Sequence, residues 1–260
     1  MARYTNTAPV DAYRGAGRPE AAYVVERLVD TAAREIGMDP AQFRRMNFIK
    51  KFPHATPLDM TYDTGDFQAH LDKALQQINA AQFPERRAAS AARGQLRGLG
   101  IGCYIEAAGI GPSARMGKLG SGAGLWESAE VRVNPTGSIE VLTGSHSHGQ
   151  GHETTFAQWV ADCFGVDFND VEIIHGDTDK VQYGVGTFGS RSGPLGLSAI
   201  ALACKKVVDK ATQIAAHLLN VATDSVEFEN GLFSSPASNE SLSFAEVAFN
   251  AYSAHHFPTT

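Results

Sequence analysis

The sequence predicts an α+β chain of mixed sheets with packed helices, and three observations carry that expectation. Residues 126–133 and 138–143 alternate apolar and polar side chains about Asn134-Pro-Thr-Gly137, the pattern of a β-hairpin. Residues 20–36 and 194–219 place apolar side chains at helical spacing. Glycine-rich loops stand where strand periodicity gives way to helical periodicity, at residues 144–153 and 184–193.

From the start of the chain, residues 8–20 read as a loop in which Arg14 and Arg18 flank Gly15-Ala16-Gly17. Pro19 suits the first position of a helix. The helix then runs from Glu20 to Ile36, with Ala21, Val24, Val25, Leu28, Val29, Ala32 and Ile36 as one buried face and Gly37 as its stop. Two cations ahead of a helix start are disfavoured unless an anion lies between them. They are therefore either a candidate anion-facing pair or two solvated surface arginines. Asp39-Pro40 opens a short helix through Met46, and residues 50–65 are a proline-containing connection. A helix over 66–78 and a basic helical stretch over 84–93 follow, the latter a solvated face. From Leu96 to Ala108 the period becomes extended, with glycines that suit a closely approached strand. A boundary near residue 93 gives domains 1–93 and 94–260.

Residues 109–124 form a glycine-rich loop expected to be either mobile or folded over a site. The hairpin then feeds Gly144-Ser-His-Ser-His-Gly-Gln-Gly-His152, and a helix is expected over 154–164. A short strand over 171–175 ends at Gly176-Asp-Thr-Asp179, whose aspartates read as turn formers. The second loop, Gly184-Val-Gly-Thr-Phe-Gly-Ser-Arg-Ser-Gly193, runs into a long helix ending near Leu219. A hairpin about Asn230-Gly231 and a helix capped by Ser243 close the pattern before Phe257-Pro-Thr-Thr260.

Composition removes several function classes. A net charge of −6 leaves no electrostatic footprint for nucleic acid or an anionic membrane. No apolar run approaches the roughly 20 residues of a membrane span, and the N-terminus lacks the apolar centre of a signal peptide. The three cysteines, Cys103, Cys163 and Cys204, are scattered and odd in number, which points to reduced thiols and a cytoplasmic setting.

The two loops carry the chemistry. Each gathers hydroxyls, amides and backbone N–H groups at a helix start, where the helix dipole adds positive charge and an anion or phosphate can be held. His146, His148, His152 and His175 also allow a zinc-hydrolase reading, since imidazole suits zinc, although no H-E-x-x-H pattern accompanies them.

Three ordered motifs carry a resemblance: Ala12-Tyr-Arg-Gly-Ala-Gly-Arg-Pro-Glu20, Gly149-Gln-Gly-His-Glu-Thr-Thr155, and Gly176-Asp-Thr-Asp179 with Gly184-Val-Gly-Thr-Phe-Gly-Ser-Arg-Ser192. Together they resemble the molybdopterin-binding large subunit of the xanthine dehydrogenase and aldehyde oxidase family, nearest its carbon monoxide dehydrogenase branch, along essentially the whole chain. The resemblance implies the fold of molybdenum-cofactor-binding domains, incomplete here: the end of a first domain and most of a second. It implies molybdopterin cytosine dinucleotide with molybdenum, and oxidation of a small carbonyl, an N-heterocycle or carbon monoxide with oxygen from water. Electrons would pass to a 2Fe-2S small subunit and an FAD-binding medium subunit in a dimer of heterotrimers.

By the same resemblance Gly149, Gln150, Gly151, His152, Glu153 and Thr154 line the cofactor, as do Thr187, Gly189, Ser190, Arg191 and Ser192 from the second loop. Arg14 falls at the family's catalytic arginine beside the substrate, with Tyr13, Gly15, Ala16, Gly17, Arg18 and Glu106 around the pocket. No protein residue is expected to ligate the metal. Two departures stand out. The copper-ligating cysteine of carbon monoxide dehydrogenases is missing from Tyr13–Arg18, which favours an aldehyde or N-heterocycle. The family's upstream Gly-Gly-Phe-Gly loop and the Gly-Glu motif of its catalytic base are also missing. These two gaps imply an internal piece inactive alone, or alternatively a non-catalytic cofactor-binding or assembly module.

Overall fold

Residues 6–8, 13–57, 60–109, 113–118, 120, 122 and 124–253 are described by a computed structural model of the chain. Residues 9–12 of the opening segment, Pro112 and the closing 257–260 stretch lie outside them. The chain divides into two units, Met1–Ile105 and Glu106–Thr260, each considered by itself.

In the first unit, helix α1 (Arg18–Glu35) packs on α2 (Pro40–Asn47). The Asp39 carboxylate caps α2 by accepting from the Gln42 N–H at 2.8 Å. The glue between the two helices is charged. Arg44 is 3% exposed and reaches Glu26 at 2.7 Å and Asp30 at 2.9 Å, while its guanidinium also donates to the Ile101 carbonyl at 3.2 Å. A two-residue antiparallel ladder joins β1 (His54–Ala55) to β2 (Thr61–Tyr62), and α3 (Phe67–Gln77) starts at the Asp66 cap. The basic stretch forms α4 (Phe83–Ala91).

Two expectations fail in this unit. The face of α1 read as buried is largely exposed, Val24, Val25, Leu28 and Ile36 included, and its buried residues are Asp30 and Ala33. The cause is that α2 approaches the side of α1 carrying Glu26 and Asp30, which Arg44 requires. The strand expected over 96–108 does not form either. Extended backbone becomes a strand only when another strand accepts its hydrogen bonds, and this segment offers the Ile101 carbonyl to Arg44 instead.

The second unit holds a mixed three-stranded sheet. β3 (Ala129–Val133) and β4 (Ile139–Thr143) are the expected antiparallel hairpin, pairing Val131 with Val141. Its turn closes through the Gly137 N–H to the Asn134 carbonyl at 2.9 Å. From β4 the chain passes through α6 (His152–Phe164) to β5 (Val171–Ile174), which lies parallel to β4. The expected helix therefore starts two residues early, which puts His152 and Glu153 in its first turn. The glycine-rich loop is also partly helical, as α5 (Ser113–Lys118). A π-helical turn over Ser192–Leu197 leads into α7 (Ser198–Leu219), which packs on β3, α6 and α8 (Phe244–Tyr252). A three-stranded meander, β6 (Glu227–Glu229), β7 (Leu232–Ser234) and β8 (Ser241–Ser243), ends at a capping box between Ser243 and Glu246. One apolar core joins these layers through Ile139, Val141, Phe156, Val160, Phe164, Ile200, Phe233, Phe244 and Val247.

The α6 terminus shows how tightly the meander is docked. Gly165 adopts φ +64°, and a Cβ there would overlap the backbone of Asn230 and Gly231. Gly165→Ala should therefore cost about 1–3 kcal/mol of unfolding free energy through overpacking and left-handed strain. Chemical denaturation measures this, and an unchanged midpoint would contradict the docking.

Candidate functional site

The two glycine-rich loops of the second unit converge. Gly144 follows β4 and Gly184 opens the second loop, and a Cβ on either would overlap the backbone of the other. Next to this crossing the His146 N–H donates to Thr187 Oγ1 at 3.1 Å, and Thr187 in turn bonds Ser192 Oγ at 3.1 Å. Gly196 lies under Ser145, with no room for a larger side chain. Both loops are thus held as one body at the starts of α6 and the π-turn. The exposed 106–108 segment, where Glu106 stands, leads into Gly109, whose N–H donates to the Gly189 carbonyl at 3.1 Å. Glu106 is therefore on irregular chain rather than on a strand.

The start of α6 is built to receive something. Its N-cap is Gly151, with no side-chain cap; the Glu153 N–H is met by its own carboxylate, and the other first-turn N–H groups are left uncapped. A Cβ on Gly149, Gly151, Gly186 or Gly193 would meet nothing within 4 Å, which leaves open space beside the backbone. Gln150 is exposed, and its side-chain oxygen accepts from the His148 N–H. Thr154 and Ser190 are exposed as well. Gly189 and Ser190 both take positive φ, at 56° and 53°, a strained conformation for serine.

Imidazoles line one side. His152 is 5% exposed, stacks on Phe156 with ring centroids 4.8 Å apart, and has a buried Nδ1 with no hydrogen-bond partner among the described residues. His175 Nε2 lies 2.9 Å from Glu153 Oε1, and the His146 ring lies 5.1 Å from those of His148 and His175. The Glu153 carboxyl is held below its usual range, first by its own backbone N–H and then by His175 and Ser147. Among the described residues no three His, Cys, Asp or Glu side chains converge as a metal-holding group, so the zinc reading gains nothing. Asp177 accepts from the Asp179 N–H at 3.0 Å, as a turn former does.

Arg191 does not face outward. It is 1% exposed and its NH1 pairs with Glu127 Oε2 at 2.6 Å and donates to the Gly186 carbonyl at 2.8 Å. Its NH2 donates to the carbonyls of Trp126 at 2.9 Å and Leu125 at 3.2 Å. Glu127, the buried partner of Arg191, is the residue here that sequence reasoning missed. It shares the inward parity of Ala129, Val131 and Val133, which pack on the core, and a carboxylate in that register needs a buried cation.

In the first unit, Tyr13–Arg18 forms a tight turn with positive φ at Gly15, Ala16 and Gly17, closed by the Ala16 N–H to the Tyr13 carbonyl at 2.6 Å. Tyr13 is 86% exposed and Arg14 is exposed. Arg18 is the first residue of α1 rather than a residue ahead of it.

Against known proteins, models of the molybdopterin cofactor-binding domain match residues 1–48 and 73–258. The carbon monoxide dehydrogenase large chain of Hydrogenophaga pseudoflava is 40% identical over 98% of this chain and 32% of its own. The 6-hydroxypseudooxynicotine dehydrogenase complex subunit gamma of Paenarthrobacter nicotinovorans is 34% identical over 94% of this chain and 30% of its own. The crystal structure of quinoline 2-oxidoreductase from Pseudomonas putida 86 superposes with a TM-score of 0.85 at 36% identity, covering 97% of this chain and 32% of that one. The chain belongs to the molybdopterin cofactor-binding family of the xanthine dehydrogenase type, and it spans about a third of the length of the curated relatives it matches. The outward amides, open glycines and unpartnered His152 Nδ1 fit such a polar, anionic group.

Burial pushes the His152 imidazole below its usual range, with the Glu153 carboxylate opposing and the neighbouring imidazoles adding to the shift. The unfolded chain therefore takes up this proton first as the pH falls. The contribution of His152 to stability is complete above about pH 6.5 and is lost as the pH drops from there towards the lower folded value. Urea unfolding across this range should show a shallower pH slope for His152→Gln than for the unmodified chain. Identical slopes would refute the buried neutral imidazole.

Proposed function

We propose that this chain holds the dinucleotide of a molybdopterin cofactor, in its cytosine form, for a molybdenum-dependent hydroxylase of an aldehyde or N-heterocyclic substrate. The observation that carries this reading is the convergence of the two loops through Gly144, Gly184 and the His146–Thr187 hydrogen bond. The two helix starts thereby form one polar cradle, as phosphate recognition requires.

Within it, the backbone N–H groups at Gly149, Gly151, His152 and Thr154 meet negative charge, with the α6 dipole behind them. The Glu153 N–H is held by its own carboxylate, which lines the cradle beside His175. The Gln150 amide and the Thr154 and Ser190 hydroxyls supply directional hydrogen bonds, and Gly189 keeps the second loop close enough for its backbone to contribute. Thr187 and Ser192 act mainly on each other and on His146. Arg191 acts from behind the loop, since its two terminal nitrogens already face Glu127 and protein carbonyls. When bound, the cofactor supplies a molybdenum centre able to oxidise a substrate carbon with oxygen from water.

On the substrate side the resemblance assigns Arg14, whose cation would offset negative charge developing in the transition state. Ala16 takes a left-handed φ of 50° between two glycines that adopt such angles freely, and that strain at a residue with a Cβ supports a functional turn. Tyr13, Arg18 and Glu106 complete the assignment. The absence of cysteine from Tyr13–Arg18 supports an organic substrate over carbon monoxide. Quinoline and 6-hydroxypseudooxynicotine, in the names of its relatives, are of that kind. Electron acceptors are then a 2Fe-2S and an FAD subunit, in a cytoplasmic dimer of heterotrimers.

Protein purified from its native host should contain molybdenum near one atom per chain, and elemental analysis finding none would overturn the reading. Gln150→Ala should lower that content by an amount corresponding to about 1–3 kcal/mol of binding, with the melting temperature of the cofactor-stripped protein unchanged. Retention of full molybdenum would remove Gln150 from the site.

A further inference from the structure

We infer that Glu127 is the positioning residue of the cofactor cradle, holding both loops in their receptive shape before anything binds. The inference rests on the reading above. Its basis is one carboxylate serving both loops. Glu127 Oε2 takes Arg191 NH1 at 2.6 Å and Ser145 Oγ at 3.4 Å, while Oε1 accepts from the Ser128 N–H at 3.1 Å. The Glu127 and Arg191 side chains are each 1% exposed, so the pair is shielded from water.

Ser145 belongs to the first loop and Arg191 to the second, and Glu127 belongs to neither. It sits where β3 begins, on the body of the fold. From that anchor Arg191 extends to the carbonyls of Gly186, Leu125 and Trp126, which fixes the path of residues 186–191. The Arg191 N–H closes on the Phe188 carbonyl at 3.2 Å, next to the left-handed Gly189 and Ser190. A guanidinium held this way cannot swing out to a phosphate. Its work is to turn the loop so that backbone amides and hydroxyls face outward, and Glu127 neutralises it there. Without Glu127, a buried cation would be left uncompensated, the loop would open to hydrate it, and the Gly144–Gly184 crossing would loosen.

The test uses protein purified from its native host, in three forms: unmodified, Glu127→Gln, and Val160→Ala. Val160 is fully buried on α6, away from the loops, so its truncation destabilises the core without touching the cradle. Molybdenum per chain, melting temperature and hydrogen exchange at amides 144–146 and 186–191 are measured for each. Glu127→Gln should lower molybdenum content about 10–100-fold, the range seen when partners behind a binding site are removed. It should also raise exchange in those two segments, even after the bound material is stripped, whereas exchange in β4 and α7 stays slow. Val160→Ala should lose stability but keep its molybdenum and its slow loop exchange, and Glu127→Asp should recover part of the loss. If Val160→Ala loses molybdenum in proportion to its melting temperature, or if Glu127→Gln keeps its content, the positioning role is overturned. Unmodified protein without molybdenum sinks the cofactor reading instead, and the stripped-protein exchange rates separate that outcome from failure of the clamp.

Discussion

Gly144 and Gly184 touch backbone to backbone, and a hydrogen is all that fits on either side. Much of the second unit follows from this contact. It obliges the chain leaving β4 and the chain after β5 to cross before each turns into its helix. The helix starts are then neighbours, although their loops are about forty residues apart in sequence, as His146 and Thr187 show. Glycine alone permits such an approach. The parallel β4–β5 pairing carries the crossing, because the α6 connection returns the chain in the same direction along the sheet.

Around that contact the polar groups divide the labour. Those facing inward are held by the protein: the two terminal nitrogens of Arg191 by Glu127 and three carbonyls, Thr187 by His146 and Ser192. Those facing outward are backbone amides, an amide side chain and hydroxyls. The arginine within Gly-Ser-Arg-Ser thus illustrates a general hazard in motif reading. A cation in a phosphate-binding pattern can serve the architecture of the loop, leaving contact with the ligand to its neighbours. The geometry separates these two roles: the Arg191 guanidinium is turned inward to Glu127, while Ser190 beside it is exposed.

Much of this was legible in the residue pattern, and what escaped did so for physical reasons. The hairpin, α6, β5 and α7 were readable because alternation and helical spacing are local and each element buries one face. The cap residues Asp39 and Ser243 announced their helices by chemistry that acts within three residues. The 96–108 segment misled because extended periodicity does not reveal whether a partner strand exists. The exposed face of α1 misled because periodicity marks a surface suited to burial without naming what covers it. Glu127 and Arg191 lie 64 residues apart, so their pairing is a fact of tertiary structure. Only the parity of Glu127 with Val131 and Val133 hinted at it.

Trp126 gives the crossing an optical handle. Its indole stacks on Tyr183 at 3.9 Å with the rings 5° from parallel, and the two backbones on either side reach Arg191 and Gly144. The chain has one other tryptophan, Trp159 on α6, packed against the core. Emission from the half-exposed indole is therefore separable from its sheltered counterpart by a soluble quencher. Light from that native indole can then report whether the loop pair keeps its contact during unfolding, with no label introduced.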